Sequence, residues 1–154
     1  SCNDKKVIDC VEALSSNWVI FSGGGILREP ILSAGKQFIH IHPGRLPHYK
    51  GSTCFYYSLI NEGKCTCSAF IMEKNLDSGK ILFTKDYKPP KNMDFDFVYD
   101  HWIRSDTLCD FLEVTDFNNN NINAKVNSEK DAEMYYIIHP VLKHLAIMKN
   151  HEKL

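Results

Sequence analysis

The sequence predicts an α/β domain with a mostly parallel sheet flanked by helices. The chain has 154 residues and a mass of 17.7 kDa, which fits one domain of ordinary size. Short apolar runs alternate with segments whose apolar residues recur every three or four positions, which is the order of strands and crossover helices. The first run, residues 18–21 (WVIF), is apolar without interruption, as is typical of a strand buried on both faces.

Capping and stop residues delimit the elements in the first half of the chain. Asn, Asp and Ser favour helix N-caps, Pro favours the first helical turn, and Gly ends helices. These rules predict a helix capped by Asn3 or Asp4, a strand at 18–21, a short helix from Pro30, a strand at 38–41, a loop at 42–51 and a helix from Ser52 to Glu62.

The second half continues with two strands and two helices. Residues 64–73 and 80–85 are predicted strands, and the six residues between them (KNLDSG) suit a hairpin-like connection. Asp94 can cap the longest helix. The four asparagines at 118–121 mark a loop, so we expect a core at 1–116 and a C-terminal extension at 117–154 packed on that core. A strand at 134–138 and a helix from Pro140 are expected in the extension.

Composition argues against several classes of protein. Lys and Arg number 18 against 19 Asp and Glu, a net charge of -1, which disfavours nucleic-acid and membrane-surface binding. No apolar run approaches the ~20 residues of a membrane span, and no secretory signal is visible. The six cysteines include no C-x-x-C pair. We therefore expect reduced thiols, no metal site and a cytoplasmic location.

Three polar segments follow predicted strands: the glycines at 23–25, the His-rich end of the second strand, and the loop at 74–79. Ligands of open α/β sheets bind at the carboxyl ends of the strands. His40 and His42 are two residues apart on a strand, so both side chains point to the same side. Asp77 is expected at the same edge, where a carboxylate can orient a histidine and raise its pKa.

Each of these features also has a structural interpretation. A strand-end histidine can be satisfied by hydrogen bonds in the core, D-S-G can be an ordinary turn, and the three glycines lack the spacing of a dinucleotide loop. The H-x-H pair is similar to the metal pair of amidohydrolase barrels, but such barrels need about 250 residues. The residues alone leave a site and a structural role both open.

Residues 38–82, however, resemble the core of the folate-dependent formyltransferases. The signature of that family is a strand ending in N-x-H-P, a loop of the form L-L-P-x-x-x-G, a helix, and a later D-x-G before a strand. The residues that match in order and spacing are His42, Pro43, Leu46, Pro47, Gly51 and 76–79 (LDSG). Upstream, residues 25–27 (GIL) resemble the segment whose backbone contacts the pterin. The similarity covers roughly residues 3–115.

The resemblance implies an enzyme with a Rossmann-like fold that transfers a formyl group from N10-formyltetrahydrofolate to a primary amine. It implies that His42 assists proton transfer and stabilises the tetrahedral intermediate, and that Asp77 orients His42 and holds it protonated when charge develops. His40 stands where the family has an Asn that donates a hydrogen bond to the oxyanion, and would replace that donor. The implied folate-binding residues are Gly25, Ile26, Leu27, Asn75 and Asp77.

The resemblance also bears on acceptor and assembly. Because the tRNA-directed branch usually carries a further domain and this chain has no basic excess, we expect a small amine acceptor, with an amino-sugar nucleotide favoured over glycinamide ribonucleotide. The family's first strands and phosphate-binding loop have no counterpart, so the core is expected to be N-terminally incomplete. An open sheet edge would then favour a homodimer. A non-catalytic folate- or ligand-binding domain is the alternative, because His40 replaces the Asn.

Overall fold

A computed structural model describes residues 1–23, 25–90, 93–118 and 122–151. The α-helices are α1 (Lys5–Glu12), α2 (Glu29–Leu32), α3 (Cys54–Glu62), α4 (Asp100–Val114) and α5 (Pro140–His151). The strands are β1 (Trp18–Ile20), β2 (Gln37–His42), β3 (Tyr49–Gly51), β4 (Cys65–Ile71), β5 (Ile81–Tyr87) and β6 (Glu133–Tyr135). A π-helical turn (Phe95–Tyr99) leads into α4, and a 3-10 turn (Glu129–Asp131) precedes β6.

Four strands form one mixed sheet in the order β1-β2-β4-β5. The pair β1–β2 is parallel, whereas β2–β4 and β4–β5 are antiparallel. The predicted α/β class is confirmed, but the expectation of mostly parallel strands is wrong. The reason is where the chain returns: residues 43–64 leave and re-enter at the same end of the sheet, and residues 72–80 are too few for a parallel crossover.

The sheet has apolar clusters on both faces. On one face Cys67 and Ala69 of β4 belong to the main core, which α3, α4 and α5 complete. On the other face Phe70 packs against Leu46 and Ile81. The predicted two-sided burial at 18–21 does not hold for β1, where Ile20 is exposed. β1 lies at the edge of the sheet, so less of the protein covers it.

A second, two-stranded sheet pairs β3 with β6 in parallel. β3 lies within the predicted loop at 42–51, and β6 is shorter than the predicted strand at 134–138. Sequence pattern could not identify β3, because its hydrogen-bonding partner comes from a distant part of the chain. This pair closes tightly at Gly51, where φ is +102° and a Cβ would overlap the carbonyl oxygen of Tyr135.

All six cysteines are free thiols, and Cys54, Cys65 and Cys67 are buried. Burial raises the pKa of Cys65 to about 12, with opposition from a hydrogen bond to Tyr99. A thiol with so high a pKa is almost entirely protonated near neutral pH and is a poor nucleophile. The buried cysteines therefore serve the packing of the core.

Substitution of Gly51 tests the close approach of β3 and β6. Gly35 also has a positive φ of +71°, but a Cβ there would meet nothing within 4 Å. We expect Gly35→Ala to cost about 1 kcal/mol of unfolding free energy for the left-handed backbone. Gly51→Ala should cost about 1–3 kcal/mol more, because the new methyl group forces the strands apart. Urea unfolding measures both, and equal losses would contradict the proposed clash.

Candidate active site

His42 is the last residue of β2, and its side chain is almost completely buried. Its Nε2 lies 2.8 Å from the carbonyl oxygen of Tyr49. A carbonyl can only accept, so Nε2 carries the proton and donates it to Tyr49. The other ring nitrogen, Nδ1, lies 3.6 Å from Oδ2 of Asp77. The predicted His–Asp neighbours are therefore brought together, at slightly more than hydrogen-bond distance.

Burial sets the charge of His42. Removal from water lowers the pKa of His42 below its ordinary value, and the charge of Asp77 and the Tyr49 carbonyl only partly oppose this effect. The free protein therefore holds His42 as the neutral imidazole. A carboxylate beside Nδ1 then stabilises the imidazolium when a proton arrives there.

Asp77 occupies the loop between β4 and β5 in a left-handed conformation, with φ at 49°. Its Oδ2 accepts a hydrogen bond of 2.8 Å from the backbone N–H of Gly51 at the end of β3. The Ser78 hydroxyl donates to the carbonyl of Asn75 at 2.8 Å and so closes the loop locally. The D-S-G segment is thus a turn, as one interpretation held, and it also delivers a carboxylate to His42.

His40 lies on β2 and is half-buried. Its Nδ1 lies 2.8 Å from the carbonyl oxygen of Phe21 and must donate to it. In the neutral ring that bond uses the only proton, so Nε2 can donate a hydrogen bond only from the imidazolium. Hydrogen-bond donation from Nε2 of a His in the family's Asn position therefore requires a protonated ring, whereas an Asn amide donates while it is neutral.

Both histidines and Asp77 line one cavity of about 620 Å³, which we call the His-Asp cavity. The side chains of His40 and His42 point to the same side of the sheet, as their spacing of two residues on β2 predicts. The histidines and charged residues that line the cavity are His40, His42, Asp77, Asp96, Asp100 and Arg104. Ligand pockets commonly measure about 300–1,000 Å³, so the cavity is large enough for a small molecule.

The expected folate-binding residues are placed unevenly. Gly25 lines the His-Asp cavity, as Asp77 does. Leu27 is buried in a separate cluster with Ile31, whereas Ile26 and Asn75 are exposed and adjoin the lining residues Gly25 and Leu76 in the sequence only. The structure therefore brings together two of the five.

Two groups of lining residues are absent from the sequence-based expectations. The first is Asp96, Asp100 and Arg104, on the π turn and α4, where Arg104 donates to Asp100 at 2.6 Å. Their spacing of four residues could have revealed a shared helical face. The second group, residues 134–137, forms another part of the wall. The pairing of β6 with β3 and hydrogen bonds from Thr53 and Tyr57 to the carbonyl of Tyr136 bring these residues to the cavity, so no local signal could have found them.

The glycine at position 44 is required by the packing of His42. A Cβ there would lie 2.6 Å from Nε2 of His42 and 2.8 Å from Cβ of Cys54. Gly79 is under a similar constraint, because a Cβ would overlap the carbonyl of Ile71. Small residues at these positions therefore allow the backbone to close around the His–Asp pair.

Among the described residues, no group of three or more His, Cys, Asp or Glu side chains is arranged to hold a metal ion. Within the same ranges, the helices are too short or too polar to cross a bilayer.

The buried His42 makes stability depend on pH in a defined direction. Its pKa is lowered in the fold, so the unfolded chain binds the proton more readily and stability falls as pH drops below about 6.5. We expect the wild type to lose more unfolding free energy than His42→Asn between pH 7.5 and pH 5, because only the wild type exposes on unfolding an imidazole that then takes up a proton. The exposed His144, changed to Asn, is the control. Urea titrations in which His42→Asn follows the wild-type profile would disprove the expectation.

No protein-family model matches the chain. The methionyl-tRNA formyltransferase of Finegoldia magna is 31% identical over 83 residues, which cover 52% of this chain and 27% of that enzyme. The chain thus spans about a quarter of the length of this relative.

Two solved structures share the fold. A sugar N-formyltransferase from Shewanella sp FDAARGOS_354 superposes with a TM-score of 0.69 at 21% identity, over 97% of this chain and 65% of that chain. The formyltransferase PseJ from Anoxybacillus kamchatkensis, in complex with UDP-4,6-dideoxy-4-formamido-L-AltNAc and tetrahydrofolate, superposes at 0.63 with 14% identity, over 80% and 66%. Sequence and fold therefore agree: the chain is similar in sequence to a methionyl-tRNA formyltransferase and shares the fold of a sugar N-formyltransferase, in line with its resemblance to the folate-dependent formyltransferases.

Proposed function

We propose that the protein transfers the formyl group of N10-formyltetrahydrofolate to the primary amine of a small acceptor, an amino-sugar nucleotide. The observation that carries this proposal is the buried His42–Asp77 pair, which shares one cavity with His40. The similarity to PseJ supports it, since that enzyme was solved with tetrahydrofolate and a formamido sugar nucleotide.

The His-Asp cavity fits such a donor. Its volume suits a small planar ring, and Phe55 and Leu76 supply apolar surface beside the Asp77 carboxylate. When bound, N10-formyltetrahydrofolate supplies the formyl carbon that the amine attacks. Gly25, Asp77 and the exposed Ile26 and Asn75 are the residues proposed to hold the pterin, with Leu27 supporting them from the core.

His42 is proposed to move the proton that the attacking amine must lose. The neutral ring has its lone pair on Nδ1, because Nε2 donates to Tyr49. Nδ1 accepts the proton, and the Asp77 carboxylate stabilises the resulting imidazolium across 3.6 Å. His42 then returns the proton to the departing nitrogen. His40, as an imidazolium, is proposed to donate from Nε2 to the oxygen on which negative charge develops.

The carboxylates of the cavity lining support an amine acceptor. Asp96 is paired with Lys143 and Asp100 with Arg104, and Asp77 adds a further carboxylate beside His42. A carboxylate near the reacting nitrogen can attract the amino group of the acceptor. The net charge of -1 favours a small acceptor over nucleic acid and a cytoplasmic protein over a membrane-surface one. Glycinamide ribonucleotide is the alternative acceptor. The exposed edge of β1 is the surface proposed for a homodimer.

Substitution of Asp77 tests the proposed mechanism. An Asn amide oxygen still accepts from Gly51 but carries no charge for the His42 imidazolium, so Asp77→Asn should lower kcat by about 100-fold or more. Its melting temperature should change little. The assay follows tetrahydrofolate release with amino-sugar nucleotides and glycinamide ribonucleotide as acceptors, and the exposed Asp116→Asn is the control. An unchanged kcat would remove Asp77 from the mechanism. Folate binding without transfer to any amine would instead favour the non-catalytic alternative.

Substitution of His40 tests its proposed role as the oxyanion donor. Removal of one such donor typically lowers the rate by about 100- to 1000-fold, so His40→Ala should lower kcat by that order. His40→Asn, whose amide N–H can donate at the same place, should keep far more of the activity. The same tetrahydrofolate-release assay measures both variants, and equal kcat values for His40→Ala and the wild type would show that His40 is not the oxyanion donor.

A further inference from the structure

Asn127 lies beside the Asp77 loop, although 50 residues separate the two in the sequence. Two residues before it, Lys125 forms a two-way backbone bridge with Ile81, with N···O distances of 3.0 and 2.7 Å. Ile81 is the first residue of β5 and lies two residues after Gly79, the last residue of the D-S-G turn. The bridge therefore holds the segment that carries Asn127 against the base of the loop.

The side chain of Asn127 is buried and binds the loop backbone twice. Its Nδ2 donates to the carbonyl oxygen of Asp77 at 2.8 Å and to that of Gly79 at 2.9 Å. Both partners can only accept, so the amide orientation is determined by chemistry. Its Oδ1 is buried without a hydrogen-bond partner in the described part of the chain. An unpaired buried oxygen is costly, so the orientation persists because the two donated bonds outweigh that cost.

These two hydrogen bonds hold the loop backbone in a conformation that is energetically unfavourable. Asp77 has a φ of 49°, a left-handed value that a residue with a Cβ adopts at a cost. With its carbonyl held by Asn127, the residue keeps its carboxylate on the Gly51 N–H and close to His42. Released, the loop can relax and carry the carboxylate away.

We propose that Asn127 is a positioning residue, which holds the Asp77 carboxylate beside His42 by binding the carbonyls on either side of Ser78. Its effect on rate rests on the proposed function, whereas its effect on the loop does not. The site would then include a residue from the segment after the asparagine run, and the loop would need that segment to keep its catalytic geometry.

A double-mutant cycle tests the effect on rate. Displacement of a catalytic group by about 1 Å can cost about 100-fold, so Asn127→Ala should lower kcat by about 10- to 100-fold. In the Asp77→Asn background the same change should lower kcat by less than about 2-fold, because the carboxylate it positions is already gone. The exposed Asn123→Ala is the control. An equal loss in both backgrounds, or no loss in the wild type, would overturn the proposal.

Amide hydrogen exchange tests the clamp without any activity. The Gly51 N–H donates to Asp77, so Asn127→Ala should speed its exchange at least about 10-fold while Phe21 N–H, bonded to Ile39 across β1 and β2, is unaffected. Uniform acceleration at both amides, or none at Gly51, would overturn the clamp. Should Asn127→Ala fold poorly, Asn127→Ser, which keeps one donor, should show the same local effect at smaller size. A wild type without formyl transfer but with this local exchange pattern would refute the proposed function and leave the clamp standing.

Discussion

The hydrogen bond from the Gly51 N–H to the Asp77 carboxylate joins the parts of this molecule that form its site. A carboxylate that is mostly buried is costly unless polar groups replace its water. Here the backbone of β3 supplies one such group, and His42 lies on the other side. These contacts of the carboxylate and the Asn127 hydrogen bonds to the loop backbone together favour the left-handed conformation of Asp77. The close pairing of β3 with β6 in turn sets the position of Gly51.

Burial governs the chemistry of the site as much as its shape. It keeps His42 neutral at rest, so that a proton can be taken up at Nδ1 beside a carboxylate. It also raises the thiol pKa of the nearby Cys54, which excludes that cysteine as a nucleophile at neutral pH. His40 is only half-buried and lines the same cavity, with Nδ1 bonded to the carbonyl of Phe21. The two histidines of one strand thus differ in exposure, which fits the different roles proposed for them.

Local sequence patterns predicted most of the helices and strands, because capping and chain-reversal interactions involve residues only a few positions apart. Asp94 caps the start of the helical segment through bonds to Asp96 and Phe97, as its position predicts. Gly63 ends α3 in a left-handed conformation. The predicted cap of α3, Ser52, is displaced by one residue, since Thr53 is the N-cap and its hydroxyl accepts from Ile138 in the distant C-terminal segment. Such one-residue shifts arise where a tertiary contact competes with a local one.

The sequence by itself determined the α/β class, the placement of His40 and His42 on one side of a strand, and the delivery of Asp77 to the same edge, because strand periodicity and turn chemistry are local properties. Tertiary structure alone decided the mixed strand directions, the existence of β3, the cavity wall at 134–137 and the contacts of Asn127 with the Asp77 loop. Each of these depends on backbone groups or side chains far apart in the chain, whose pairing no local pattern encodes.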